Sequence, residues 1–209
     1  MLDGLRGDIG DEVRSGVTKA MNGCHHMLSL VNNLLDLACL SAGIVQVKPG
    51  LVDLKVLLEN LAHQWDKRVK EHSLVLIKDI PRALRQIKTD EKHLQKILHN
   101  LLDNAVKFTS EGKIVLRVCS WGDAVEIAVV DTGVGISRDA HQLIFDDFRQ
   151  VDSSETRVYQ GMGLGLAVSE KLVRLLGGRI LVDSEVGKGS TFRVILPRES
   201  PNAGKDSDS

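Results

Sequence analysis

Cysteine is scarce in this chain: Cys24, Cys39 and Cys119 are odd in number and far apart. That excludes a disulfide framework and leaves little room for a metal or redox role, so reduced thiols are expected. No apolar run approaches the roughly 20 residues of a membrane span, and the first residues lack a signal-peptide pattern. Charge of one sign is also missing. The 27 basic and 28 acidic residues sum to −1, which points to neither nucleic acid nor an anionic membrane surface. No internal repeat is present. What remains is ordinary: 43% hydrophobic and 26% charged residues, with 209 residues for one sizeable core plus an accessory element. A cytoplasmic chain is the expectation.

The most informative stretch is 94–109, LQKILHNLLDNAVKFT. Leu94, Ile97, Leu98, Leu101, Leu102 and Ala105 recur at helical spacing, so one face packs into a core. Asn100, Asn104 and Lys107 follow at steps of four and three, which makes them neighbours on another face. Amide oxygens ligate hard cations and an ammonium neutralises phosphate oxygens, so the face suits a phosphate chain with its metal. Taken alone, the helix fits a plain solvated polar face equally well.

Asp131 ends the apolar run Ala128-Val129-Val130 and enters Thr132-Gly133-Val134-Gly135-Ile136. A carboxylate there can accept from the exocyclic amine of adenine, and the glycines let a base approach the backbone. With only 3% aromatics, such a base sits mostly between aliphatic side chains. Asp-Thr-Gly is also the aspartic protease signature, and a simple turn after a strand is a third reading. Gly161, Gly163 and Gly165 precede an apolar helix beginning near Gly163 or Leu164, where free N–H groups and the helix dipole suit phosphate oxygens. A polar stretch rather than a strand leads into them, which argues against a dinucleotide-binding turn. A Walker A loop is excluded because Gly187-Lys188 runs into Gly189.

Taken in order, residues 1–10 hold three glycines and read as a flexible N-terminus. Val13, Val17, Ala20, Cys24, Met27, Val31, Leu34 and Ala38 alternate steps of four and three, a seven-residue repeat that predicts one long helix in a bundle. Residues 47–53 read as a linker punctuated by Pro49-Gly50. Asp53 is placed to cap a helix to about Glu71, and Asp90 to cap the helix carrying 94–109. Short strands are expected at 74–77 and 85–88. Hairpins are expected from 113–120 with 124–130 and from 179–184 with 190–196. Gly177-Gly178 stops the helix that starts near Leu164. Residues 199–209 read as a disordered tail.

Together these motifs resemble the ATP-binding domain of sensor histidine kinases, a fold shared with Hsp90, type II topoisomerases and MutL. Residues 94–109 resemble the asparagine box, 131–136 the first glycine box, 144–148 the phenylalanine box and 161–166 the second glycine box. The likeness spans roughly residues 28–197, and Leu35-Asp36-Leu37 with Gly43 resembles the end of the second helix of the dimerisation domain. It implies an α/β (α+β) two-layer sandwich, a Bergerat-type mixed sheet with helices on one face, preceded by a long dimerisation helix. The domains would be a partial dimerisation helix at 11–46 and an ATP-binding catalytic domain at 54–198.

The resemblance also implies the site. ATP and Mg²⁺ would be held by Asn100, Asn104, Lys107, Phe108, Asp131, Gly133, Gly135, Gly161, Gly163, Leu164, Gly165 and Thr191. Asn104 would be the metal ligand, supported by Asn100; Thr191 would assist Asp131 through water. Arg149 and Arg157 fall in the family's lid. Two departures stand out: Gln160-Gly161 replaces paired glycines, and Asp147 replaces a common proline. No histidine stands in phosphoacceptor context. His25-His26 is followed by Met-Leu-Ser on the second-helix pattern, which suggests a fragment without the acceptor helix. Partners would be a second copy through residues 13–38 and a response regulator receiver domain. The reading is the catalytic portion of a two-component histidine kinase. Its rival is a non-catalytic nucleotide-binding regulator that dimerises and docks a response regulator.

Overall fold

The heptad-spaced residues form one helix, α1 (Asp11–Ser41), in a computed structural model that describes residues 10–147 and 163–199. It ends where Ala42 and Ile44 donate back to the carbonyls of Ala38 and Cys39 at 2.9 and 3.1 Å. The helix thus stops short of the expected residue 46. Along most of its length the apolar stripe is exposed: Val13 is 58%, Leu28 59% and Met27 67% accessible. Only the last turns reach the core. Leu37 is buried there, and Asp36 forms an ion pair with Lys96.

Beyond α1 the chain makes β1 (Gly50–Val52), α2 (Leu54–Glu71), β2 (Leu74–Asp79), β3 (Ile87–Thr89) and α3 (Glu91–Phe108). Both expected caps are present. Asp53 accepts from the Val56 N–H and Asp90 from the His93 N–H, each at 3.1 Å. The expected linker 47–53 is a correction. Gly50–Val52 pairs antiparallel with β3, so the connector is stitched to the strand that leads into α3. The strand expected at 85–88 lies at Ile87–Thr89.

The main sheet adds β4 (Gly112–Trp121), β5 (Ala124–Asp131), β6 (Arg179–Glu185) and β7 (Gly189–Pro197), in the order β2-β4-β5-β7-β6. Only β2 and β4 run parallel. Alternation decides the faces. Ile114, Leu116 and Val118 on β4, Val125, Ile127 and Val129 on β5, and Phe192, Val194 and Leu196 on β7 are buried under the helices. On the open face Ala128 pairs in register with Arg117 and Arg193, which bond Asp79 and Asp183. The last helix, α4 (Leu164–Leu175), lies between α1 and α3 and over β6. It ends as expected: Gly178 N–H donates to Val173 O and Gly177 N–H to Arg174 O, both at 2.9 Å. This is the two-layer mixed sandwich that the motifs imply.

Past β7 the chain stays tied in. Arg198 donates from its backbone to Asp123 O and from Nε to Gly122 O, both at 2.8 Å. Glu199, expected in the tail, bridges Lys88. Among the described residues no helix is long and apolar enough to cross a membrane, and no cluster of His, Cys, Asp and Glu could hold a metal ion.

Candidate active site

The site is built on α3, and burial fixes which way that helix faces. Leu94, Ile97, Leu98, Leu101, Leu102, Ala105 and Val106 are buried. Each large aliphatic side chain among them contributes about 1.5–3 kcal/mol. Helix α2 locks the same rotation with polar contacts. Trp65 Nε1 donates to His99 Nδ1 at 2.9 Å, and Arg68 Nη2 meets Asp103 Oδ1 at 2.6 Å while its guanidinium lies 4.8 Å from the Trp65 ring. Burial, helped by the Arg68 charge and opposed by Asp103, pulls His99 below the usual 6.5. An indole N–H only donates, so the neutral ring with a bare Nδ1 is the form this contact needs.

With α3 so oriented, Asn100, Asn104 and Lys107 are half-buried. The structure brings Asn100 to the second glycine box. Asn100 Nδ2 donates to Gly165 O and Ser169 Oγ, both at 3.1 Å, and Ser169 Oγ donates to Gly165 O at 2.8 Å. The amide nitrogen is spent on α4, which keeps Oδ1 as its acceptor. That is the donor set a hard cation prefers. Gly163 caps α4 at φ 66°, and Leu164 is buried beneath the first turn.

Asp131 lies at the end of β5, 6% exposed. Its Oδ1 accepts from the Gly133 N–H at 2.9 Å and the Ser190 N–H at 3.2 Å; Oδ2 takes neither bond. Burial raises the carboxyl above its usual 3.8, while the two N–H bonds pull the other way. Gly133 is required because a Cβ would overlap the Phe108 carbonyl, and that carbonyl accepts the Val134 N–H at 3.1 Å. Phe108 thereby enters the site through its backbone. Gly135, at φ 70°, packs on the Glu185 carbonyl, and Gly187 N–H donates to Val134 O at 2.8 Å.

Thr191 is not beside Asp131. It pairs in register with Val130, so alternation puts its side chain on the other face of the sheet. The hydroxyl residue in register with Asp131 is Ser190. Sequence reasoning missed Ser190, Ser169 and Ser184, whose only signal was proximity to a glycine or a box. Gly161, Phe148, Arg149 and Arg157 lie outside the described residues, as do the side chains of His25 and His26. Asp147, at the unusual phenylalanine-box position, pairs with Lys171 of α4 at 3.4 Å.

Residues 89–200 match the model of the family described as histidine kinase-, DNA gyrase B- and HSP90-like ATPases. The chain belongs to this family. Over 197 residues it is 37% identical to the circadian input-output histidine kinase CikA of Synechococcus elongatus, covering 93% of the chain and 26% of the relative. The sensor histidine kinase RcsC of Escherichia coli is 37% identical over 185 residues, 87% of this chain and 19% of that one. Among solved structures, full-length ShkA in complex with AMPPNP shares 34% identity, with a TM-score of 0.78 over 91% of this chain and 40% of that one. The chain thus spans about a quarter or less of the curated relatives it matches.

Proposed function

We propose that this ATPase-family domain binds ATP with Mg²⁺ and presents the γ-phosphate to a histidine, from which the phosphoryl group passes to a receiver-domain aspartate. Asn104 ligates Mg²⁺ with Asn100 in support, and Lys107 neutralises phosphate oxygens. Asp131 accepts from the adenine amine, with Ser190 rather than Thr191 beside it. Gly133 and Gly135 shape the base pocket; Gly161, Gly163, Leu164 and Gly165 bring the N-terminal turn of α4 to the phosphates. Magnesium would neutralise phosphate charge, and the chain's own residues position and orient. The domain division (helix 11–46, catalytic unit 54–198), the cytoplasmic setting and pairing through residues 13–38 belong to the same reading.

The observation that carries it is Asn100, whose amide nitrogen joins α3 to the glycine box at Gly165 and leaves its oxygen as acceptor. Calorimetry with ATP and Mg²⁺ tests it. Asn104→Asp, which adds negative charge beside phosphates, should weaken binding by roughly tenfold or more. Unchanged binding in that variant would remove the site assignment. One observation favours the rival, a nucleotide-binding regulator: none of the seven histidines stands in acceptor context.

A further inference from the structure

We propose that Ser184 is a positioning residue for adenine recognition: its hydroxyl joins the two backbone walls that hold Asp131. The inference rests on the ATP-binding reading above. Asp131, Ser190 and Ser184 lie in one row across the ends of β5, β7 and β6. Ser184 Oγ accepts the Ile136 N–H at 2.8 Å, donates to Gly189 O at 2.9 Å and meets Ser190 Oγ at 3.0 Å. A hydroxyl has one proton and two lone pairs. Donation to Gly189 therefore makes Ser190 the donor in the third contact, and the capacity of Ser184 is filled.

These bonds reach both walls of the base site, one at Ile136 and two at the start of β7. Ile136 closes the loop that begins at Asp131 and contains Gly133, whose N–H holds Asp131 Oδ1. Gly189 and Ser190 open β7, and the Ser190 N–H holds the same oxygen. Removing one hydroxyl loosens both donors that fix this carboxylate. Two backbone groups also lose a partner, and an unmade bond of that kind costs more than the net worth of a made one. The amine-reading oxygen Oδ2 then loses its fixed direction. On the phosphate side, Asn100 of α3 spends its amide nitrogen on Gly165 and Ser169 of α4 rather than on these groups.

The effect is therefore selective. The test compares ATP with the triphosphate of unsubstituted purine riboside, which lacks the 6-amino group, by calorimetry on the full chain with Mg²⁺. The wild-type protein should prefer ATP. Ser184→Ala should lower that preference by roughly fivefold to tenfold, chiefly through weaker ATP binding, while Ser184→Thr keeps it. If both nucleotides weaken equally in Ser184→Ala, or neither does, the proposal is overturned, because a merely structural serine would not discriminate. Should Ser184→Ala not fold, Ser184→Cys, a weak donor, must lower the preference in part; an unchanged preference there also overturns it. Failure of the wild-type chain to bind ATP would instead strike the functional reading itself.

Discussion

Asp131 shows how one buried carboxylate is kept ready to accept. Desolvation raises its protonation tendency, and the N–H groups of Gly133 and Ser190 work against that. The net shift is upward, so the folded chain binds this proton more readily than the unfolded one. Such a group contributes stability that is fully present below the unfolded value near 3.8 and is lost as pH rises through the folded value. Asp131→Asn lacks this term. Urea unfolding should therefore show wild type gaining on Asp131→Asn as pH falls from 7 toward 4. A gap that stays flat, or narrows as pH falls, would contradict the burial assigned to this side chain. Neutral Ser190, Ser169 and Ser184 share the site without any such dependence.

At the scale of elements, the caps make a sharp comparison. Asp53 bonds one backbone N–H, that of Val56. Asp90 bonds two: Oδ1 takes the His93 N–H, and Oδ2 takes the Lys48 N–H at 2.7 Å. Losing an aspartate cap costs about 1 kcal/mol. Asp53→Ala should cost about that, and Asp90→Ala about twice as much, because the approach to β1 is released too. Equal losses in denaturant unfolding would show that the Lys48 bond contributes nothing. The caps themselves were legible, since an aspartate before an amphipathic run is a local signal. So were the asparagine helix, both hairpins and the glycine stop at 177–178. The β1–β3 pairing was not: a three-residue strand after Pro49-Gly50 carries no periodicity, and its partner is remote in sequence. Ser184 and Ser169 were equally hidden, because a lone serine acquires meaning only from the backbone brought against it. Thr191 was misplaced by one residue for the same reason; one step along a strand exchanges the faces.

Helix α1 is the other element whose sequence and structure agree on something left over. Val13, Val17, Met21, Met27, Leu28, Val31, Leu34 and Leu35 are exposed, while Leu37 on the same helix is buried against the domain. A stripe that long and apolar needs a cover, and a second copy of the helix supplies the matching repeat. Light scattering should find a dimer, and the double variant Val17→Glu, Val31→Glu should convert it to a monomer. The melting of the catalytic layer should change little, because both side chains are exposed rather than part of its core. A dimer surviving both charges would place the interface elsewhere.

For the whole molecule the question is what the pocket can do without an acceptor in reach. Phosphoryl transfer asks the protein mainly to hold phosphates and nucleophile in line. The groups proposed to hold the nucleotide are each fixed in place: Asn100 is bonded to the glycine box at Gly165, and Asp131 by the N–H groups of Gly133 and Ser190. On the proposed reading the nucleophile is supplied separately, since none of the seven histidines in this sequence stands in acceptor context. Binding and transfer should therefore come apart. With radiolabelled ATP the chain alone should bind nucleotide yet label itself negligibly. Adding a dimerisation domain that carries an acceptor histidine should restore labelling, and Lys107→Ala should reduce it again. Acid lability identifies the product, because phosphohistidine is lost in acid. Strong acid-labile self-labelling that vanishes in His25→Ala or His26→Ala would instead make this helix the acceptor. If no supplied acceptor is labelled while ATP still binds, the pocket serves as a nucleotide-dependent docking module, and its output is a change of partner rather than a transferred phosphate.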